Sequence, residues 1–178
     1  GLTAIEFDIR ITKDKRLVVC HDKDLQRIAG IDKLISKMTL TEIKATKTIS
    51  GEPIPTLEEF IRESGTMTLF IEGKDSGWAE LLTEVISKTN FKTPPKVLSF
   101  NHKELIKFHK LSKDTSTIMS DWHNPLKTIY VAKENSINGI CIKFWVYHPL
   151  LYWLAKRNKI DQYTYTVSNN AGTSAPAT

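Results

Sequence analysis

The segment that best indicates the fold is Thr68-Leu-Phe-Ile-Glu-Gly-Lys74. Its apolar run ends abruptly in an acid, a glycine and a base, and a helical pattern from Trp78 to Lys88 follows it. Apolar strands that alternate with helices of about ten residues are typical of βα units and of a parallel sheet. The segment therefore predicts one strand of such a sheet, with charged side chains at its carboxyl end.

The same alternation continues along the chain. Further strands are predicted over residues 97–100, 116–119, 139–143 and 162–167, and further helices over residues 102–111, 125–133 and 149–156. These strands are short and nearly unbroken by polar residues, which fits a sheet covered on both faces. Capping boxes that begin at Thr39 and Thr56 predict two more helices upstream. The fold class is therefore α/β.

Near the start of the chain, Ala4–Ile11 alternates between apolar and charged residues. Glu6 and Asp8 are two positions apart on this predicted strand, so their side chains leave the same face. Alone, such a pair is typical of a solvated surface. Glu72, at the end of an apolar strand, changes this interpretation. In a βα barrel the carboxyl ends of the strands form the rim of the active site, and charged residues there are typical of function. Three carboxylates gathered there predict a divalent cation with oxygen ligands, Mg²⁺ or Ca²⁺, rather than zinc.

His21 ends a second predicted strand over residues 16–20, beside Asp22. One interpretation is a turn with a satisfied imidazole. The other is a general acid or base, since the ordinary pKa of histidine, about 6.5, allows proton transfer near neutrality. The other histidines are expected in surface or capping roles.

Composition limits the classes of function. The 178 residues are 40% apolar and 25% charged, as in a globular domain, and no run approaches the roughly 20 apolar residues of a membrane span. Gly-rich phosphate loops, G-x-S-x-G elbows and H-E-x-x-H helices are absent. The net charge of +5 suits an anionic partner, but the charges are scattered, which does not favour nucleic acid. Cys20 and Cys141 lie far apart in apolar stretches and are predicted to be buried thiols.

Aromatic residues crowd the second half of the chain, at Trp122, Trp145, Tyr147, Trp153, Tyr163 and Tyr165. We expect most of them in the core. Only Trp122 and Trp145, which follow strands, are candidates for lining a pocket. The sequence shows no apolar loop of the kind that docks on membranes.

Six blocks of sequence, in this order and spacing, resemble the glycerophosphodiester phosphodiesterase family. They are Glu6–Asp14, Leu17–Asp22, Leu25–Arg27, Ile54–Glu59, Ile71–Lys74 and Leu98–Phe100. The resemblance implies a TIM (β/α)₈ barrel with a small insertion after barrel strand 2, here residues 12–66. It also implies metal-dependent hydrolysis of small-molecule glycerophosphodiesters to glycerol 3-phosphate and an alcohol, within lipid and glycerol metabolism.

The resemblance also implies roles for five residues. Glu6, Asp8 and Glu72 would be the metal ligands, and Lys74 would hold a phosphate oxygen. His21 would be one of two histidines that exchange protons with the attacking and leaving oxygens. The physical chemistry agrees, since a cation and a lysine beside a phosphodiester form a preorganised electrostatic site.

The chain departs from the family at both ends. The His-Arg-Gly motif of the first barrel strand, with its histidine and arginine, has no counterpart, nor has the last strand. Six of eight barrel strands are expected, and the 178 residues fall roughly 70 short of a typical barrel of about 250. We therefore expect an incomplete barrel. Within the family blocks, Gly73 stands where a branched residue is usual.

Two alternatives remain open from the sequence. One is a truncated or degenerate homologue that binds phosphodiesters or a partner without turnover. The other keeps the barrel and metal but takes a sphingomyelin-type lipid as substrate.

Residues 1–178 are expected to form a single domain, with residues 168–178 as a flexible tail. No leader is visible at Gly1, so the compartment stays open, with a slight preference for the cytoplasm.

Overall fold

The computed structural model describes residues 3–146 and 148–165. By its internal contacts the chain divides into two compact units, residues 1–118 and 119–178. The prediction that residues 1–178 are a single domain stays a prediction. The expected tail at residues 168–178, like Tyr147, lies outside the described residues.

The first unit alternates strands and helices. Its strands are β1 (Ala4–Ile11), β2 (Leu17–Val19), β3 (Asp24–Leu25), β4 (Ile31–Leu34), β5 (Thr68–Gly73) and β6 (Lys96–Ser99), and β7 (Ser116–Asp121) runs across the boundary. Its helices are α1 (Gln26–Ala29), α2 (Leu40–Ala45), α3 (Leu57–Glu63), α4 (Trp78–Lys88) and α5 (His102–Leu111). The predicted bounds of α4, α5 and β1 are confirmed, and the ends of the other predicted strands of this unit differ from prediction by one or two residues.

Strand pairing in the first unit confirms the predicted parallel sheet. β5 pairs in parallel with β1 on one side and with β6 on the other. β2 pairs with the last part of β1 in an antiparallel hairpin. The order of these strands is therefore β2-β1-β5-β6. Since parallel strands end at the same edge, the carboxyl ends of β1 and β5 lie side by side.

The core of this unit follows from the sequence patterns. Phe7, Ile9 and Ile11, on one face of β1, are buried. Helices α4 and α5 contribute Trp78 and Phe108, both fully buried, with ring centroids 5.6 Å apart. Burial of these apolar side chains is the main force that fixes the helices to the sheet.

Residues 12–66, the predicted insertion, contain a small apolar cluster of their own, with Val18, Leu25, Ile35, Met38, Ile43 and Ile54 at its centre. Both predicted capping boxes are confirmed. The side chain of Thr39 accepts from Glu42 N at the start of α2, and that of Thr56 accepts from Glu59 N at the start of α3. The hairpin of β3 and β4 was not predicted, because strands of two and four residues are too short to show a period.

The second unit contains α6 (Pro125–Glu134), β8 (Gly139–Lys143), α7 (Pro149–Arg157) and β9 (Asp161–Tyr165). β8 and β9 pair in parallel, as predicted. Both helices have a proline in the first turn. The backbone N–H that proline lacks would have no acceptor within the helix at this position, so proline favours a helix start there. Across the residues that the structure describes, no helix has the length and apolar character that crossing a membrane requires. Cys20 and Cys141 are buried and form no disulfide, as predicted.

Candidate active site

Strand β1 supplies the first two carboxylates. Its alternation buries Phe7 against Phe60 of α3, with ring centroids 4.3 Å apart, and so turns Glu6 and Asp8 to the opposite face. The hydrophobic contact thus fixes which face of the strand carries the acids.

Strand β5 supplies the third carboxylate. The parallel register places Asp8 opposite Glu72, so that neighbouring strands carry acids at the same level. Carboxylate oxygens of Glu6, Asp8 and Glu72 all lie within 4.8 Å of one another. The structure therefore brings together the three residues that the sequence suggested as metal ligands. Their role as ligands stays a prediction.

Lys74 lies among these acids. Its Nζ is 2.9 Å from Asp8 Oδ1 and 2.5 Å from Glu72 Oε1. The side chains are largely buried, with exposed fractions of 21% for Lys74, 11% for Asp8 and 9% for Glu72. One ammonium group therefore neutralises part of a cluster that carries three carboxylates.

Burial of the acids, together with their crowding, raises the pKa of two of them. Desolvation by the surrounding protein atoms, followed by the charges of Asp8 and Glu72, raises the pKa of Glu6 to about 7, although part of its side chain is exposed. Desolvation also raises the pKa of Glu72 above its ordinary value. Burial alone would lower the pKa of Lys74, but contact with Glu72 and Asp8 outweighs it, and the pKa is raised overall. The cluster thus has an excess of negative charge that a further cation would relieve.

The carboxylate oxygens of the cluster are ligands of the kind that a hard divalent cation prefers. Among the described residues, neither Asp8 Oδ1 nor Glu72 Oε1 receives a well-aligned hydrogen bond, so both meet Lys74 only as ion pairs. Buried carboxylate oxygens with spare acceptor capacity are costly unless a cation is close. Oxygen ligands of this kind suit Mg²⁺ or Ca²⁺.

His21 lies on the segment that follows β2. The backbone places this segment, since Cys20 N donates to Asp8 O at 3.0 Å. The imidazole is 60% exposed, and its Nδ1 lies 2.8 Å from Asp22 Oδ1. The charge of His21 acts on Glu6 and Glu72, where it opposes the rise in their pKa.

Asp22 holds the imidazole. Its other oxygen, Oδ2, accepts from Arg27 Nε at 2.6 Å. The hydrogen bonds from Arg27 and then His21 lower the pKa of Asp22. An ionised Asp22 favours a proton on Nδ1 of His21, which leaves Nε2 as the nitrogen that can exchange a proton. The two interpretations of His21 from the sequence are therefore compatible. Nδ1 is the nitrogen whose hydrogen bond is satisfied, and Nε2 is the one that would exchange a proton.

Sequence reasoning missed Arg10 and Asp75. Arg10 donates to the carbonyl oxygen of His21 from Nε at 3.1 Å and from Nη2 at 2.8 Å. Its Nη1 donates to Asp75 Oδ1 at 2.8 Å, and Asp75 Oδ2 accepts from Ile11 N at 2.8 Å. These two side chains tie the His21 segment to the ends of β1 and β5. The available signals were the position of Arg10 on the face of Glu6 and Asp8, and the place of Asp75 directly after Lys74.

A cavity of about 730 Å³ lies elsewhere in the first unit. Arg16, Ile61 and Val85 are among its lining residues, and none of the five predicted site residues lines it. The candidate site is therefore defined by its charged groups rather than by this cavity.

Comparison with known proteins identifies the family to which the chain belongs. A model of the glycerophosphoryl diester phosphodiesterase family matches residues 1–175. The glycerophosphodiester phosphodiesterase of Caldanaerobacter subterraneus is 30% identical over 148 residues, which are 71% of this chain and 61% of that protein. The enzyme of the same name from Bacillus altitudinis is 33% identical over 126 residues, 62% of this chain and 51% of that protein. The chain thus spans between half and two thirds of these relatives.

A solved structure shows the same fold. A phosphodiesterase of Oleispira antarctica, determined in complex with its product sn-glycerol-3-phosphate, superposes with a TM-score of 0.86 at 23% identity. The match covers 95% of this chain and 74% of that one. It confirms the predicted α/β barrel class. The family model, which matches residues 1–175, shows that the chain belongs to the glycerophosphoryl diester phosphodiesterase family, a family of hydrolases.

Proposed function

We propose that the protein containing this chain hydrolyses glycerophosphodiesters to glycerol 3-phosphate and an alcohol. The observation that carries the proposal is the cluster of Glu6, Asp8 and Glu72 with Lys74, in a chain of this family. The names of the relatives favour turnover over the alternative of binding without hydrolysis. The product bound to the Oleispira antarctica protein supports glycerol 3-phosphate as the product here.

Glu6, Asp8 and Glu72 would hold the divalent cation, Mg²⁺ or Ca²⁺. When bound, it would neutralise phosphate charge and orient the diester. The three side chains are suited to this task because two adjacent strands fix their spacing before any ligand arrives. Such preorganisation avoids the energetic cost of reorienting dipoles during the reaction.

Lys74 would bind a phosphate oxygen. Its ammonium group is held within the carboxylate cluster, so its charge would lie beside a phosphodiester bound at that cluster. With a raised pKa, Lys74 keeps its proton and acts as a fixed positive charge rather than as a base.

His21 would exchange a proton with an oxygen of the phosphodiester through Nε2. Asp22 holds Nδ1, and Arg10 holds the backbone of the same residue, so that both the ring and its segment are restrained. Proton transfer to a leaving alkoxide requires such a placed acid, since an alkoxide is a poor leaving group. The family's second histidine belongs to a His-Arg-Gly motif that residues 1–178 do not contain.

The experiment measures glycerol 3-phosphate released from glycerophosphodiesters by the chain extended with a His-Arg-Gly first strand. We expect release that stops in EDTA and that Glu72→Ala abolishes. Glu84→Ala is the matched control, because Glu84 lies in an exposed ion pair with Lys88 on α4. Release that survives both EDTA and Glu72→Ala would contradict the metal assignment, and binding without release would support the alternative.

A further inference from the structure

Exposed apolar side chains are concentrated in the second unit. Of the eleven large apolar side chains that are exposed among the described residues, three lie in the first unit and eight in the second. We call these eight the aromatic surface: Trp122, Leu126, Tyr130, Phe144, Trp145, Leu150, Tyr152 and Trp153. The expectation that most aromatics of this half are core is therefore wrong for Trp153, which is 52% exposed. Exposed apolar side chains that are concentrated in one part of a protein often mark an interaction site.

Helix α7 shows why Trp153 is exposed. Leu151 and Ala155, four residues apart, are the buried side of the helix. Leu150, Trp153 and Arg157 lie on the opposite side, at the spacings of three and four residues that bring side chains together on a helix. The helix is therefore apolar on both sides, and its outward side combines aromatic and cationic groups.

Helix α6 repeats this arrangement. Ile129 and Ala132 are buried, whereas Leu126 and Tyr130, four residues apart, are exposed on the outward side with Lys127. A helix that needed only to cover the core would carry polar residues on this side.

The turn after β8 adds the most exposed aromatic side chain of this surface. Phe144 and Trp145 lie in a 3₁₀ turn over residues 144–146, and Trp145 is 67% exposed. Seven of the eight residues of the surface are thus spaced along two helices and a turn, and Trp122 directly follows β7. This spacing explains why the sequence shows no contiguous apolar loop.

Cations accompany the aromatic rings. Lys143 Nζ lies 4.7 Å from the ring centroid of Trp122, and the guanidinium of Arg157 lies 5.2 Å from that of Trp153. Lys156 Nζ lies 5.7 Å from the ring of Tyr152. Residues 119–165 contain six lysines and arginines but only three aspartates and glutamates. The surface therefore presents aromatic rings with positive charge beside them.

We propose that the aromatic surface docks on an anionic lipid bilayer. Tryptophan and tyrosine prefer the boundary between acyl chains and headgroups, because an apolar ring and a polar edge suit both sides of it. Lysine and arginine beside them are attracted to anionic headgroups. Charge complementarity thus favours an anionic bilayer over a neutral one, and binding would be interfacial, without a membrane span. This inference does not rest on the proposed hydrolysis.

Co-sedimentation with vesicles tests the proposal. The chain is mixed with vesicles of phosphatidylcholine alone, or with a quarter of the lipid replaced by phosphatidylglycerol. We expect binding to the anionic vesicles that weakens as salt is added. We expect Trp145→Ser with Trp153→Ser to weaken this binding at least about tenfold, since each side chain loses its apolar burial.

Two matched controls separate the surface from general effects. Leu111→Ser, at an exposed leucine of the first unit, should leave binding unchanged, whereas Leu150→Ser, at a leucine of similar exposure, should weaken it. Lys156→Glu with Arg157→Glu should weaken binding by more than about fivefold, and Lys103→Glu with Lys110→Glu on α5 should have a much smaller effect. Circular dichroism checks that each variant is folded.

Three outcomes would overturn the proposal. The first is no binding to anionic vesicles, and the second is equal binding to both vesicle types. The third is a concentration-dependent dimer, seen by sedimentation velocity and lost in the tryptophan variant, without vesicle binding. That result would assign the surface to a second copy of the chain. Since no substrate is present in the assay, failure of the proposal would leave the hydrolysis unaffected.

Discussion

At the scale of single residues, Lys74 is the counter-charge of two buried carboxylates. Lys74→Met would leave Asp8 and Glu72 without their ion pairs. We expect the free energy of unfolding in EDTA at neutral pH to fall by about 3–5 kcal/mol, the cost of leaving buried charges without their partner. Urea denaturation measures this change.

Addition of Mg²⁺ or Ca²⁺ should restore part of the stability lost in Lys74→Met, because a cation can replace the ammonium group. Lys88→Met, which breaks an exposed pair with Glu84, is the control and should leave stability nearly unchanged. A loss of equal size in both variants would show that the effect is not specific to the cluster.

Gly73 lies between Glu72 and Lys74, at the position where the family usually has a branched residue. A Cβ at this position would come within 2.3 Å of Trp78 Cε2, and the indole is fully buried. We expect Gly73→Ala to lower the free energy of unfolding by about 1–3 kcal/mol, as overpacking does, and to change the tryptophan fluorescence.

A double variant tests the cause of this loss. Gly73→Ala combined with Trp78→Leu should cost less than the sum of the two single changes, because the smaller side chain leaves room for the methyl group. Additive losses would mean that Gly73 is required for another reason.

At the scale of elements, the capping boxes show how local sequence fixes a helix start. A hydrogen bond from Lys33, followed by those from Thr39, lowers the pKa of Glu42 to about 2. The unfolded chain would bind a proton on this group near its ordinary pKa of 4.5. The stability that ionised Glu42 contributes is therefore fully present above about pH 4.5 and is lost as the pH falls toward 2.

Glu42→Gln should remove this contribution. We expect the variant to be less stable than the parent at pH 6 and the difference to shrink as the pH falls toward 2, measured by urea denaturation at each pH. Glu52→Gln, in the loop after α2, is the control. A difference from the parent that does not depend on pH would contradict the expected role of the charge.

The elements that could be predicted from sequence are those with a clear period or a local signal. The alternation of β1, the helical period of α4 and the capping box at Thr56 each depend on neighbouring residues, so the chain itself shows them. The β3–β4 hairpin could not be predicted, because it is stabilised by the apolar cluster around Leu25 and Ile35 rather than by local pattern.

The candidate site likewise has features that could be predicted from sequence and features that could not. Glu6, Asp8 and Glu72 could be suggested from strand alternation and from the family blocks. Their distances could not, since these depend on the register that pairs Asp8 with Glu72. The hydrogen bond of Arg10 to Asp75 joins residues that are 65 positions apart in the sequence. It too depends on the pairing of β1 with β5.

At the scale of the whole molecule, a bound cation should stabilise the folded chain. A ligand that binds only the folded state adds about 2.7 kcal/mol at a hundred times its dissociation constant. For a chain of this size, that corresponds to a rise in the melting temperature of roughly 5–10 °C. We expect this rise with Mg²⁺ or Ca²⁺, and a further rise with the logarithm of the concentration.

Glu72→Gln should abolish the rise in melting temperature, and Glu84→Gln should preserve it. The measurement is differential scanning fluorimetry or calorimetry across a range of cation concentrations. An unchanged melting temperature in the parent chain at every concentration would argue against the proposed ligands.

The two thiols have a practical consequence for labelling. Cys20 and Cys141 are only 7% and 8% exposed, and burial raises the pKa of Cys20, so the reactive thiolate is scarce there while the chain is folded. A single cysteine introduced at an exposed position, such as Tyr130, should therefore react first with a maleimide dye. The chain can carry one environment-sensitive fluorophore at a chosen place without replacement of its own cysteines.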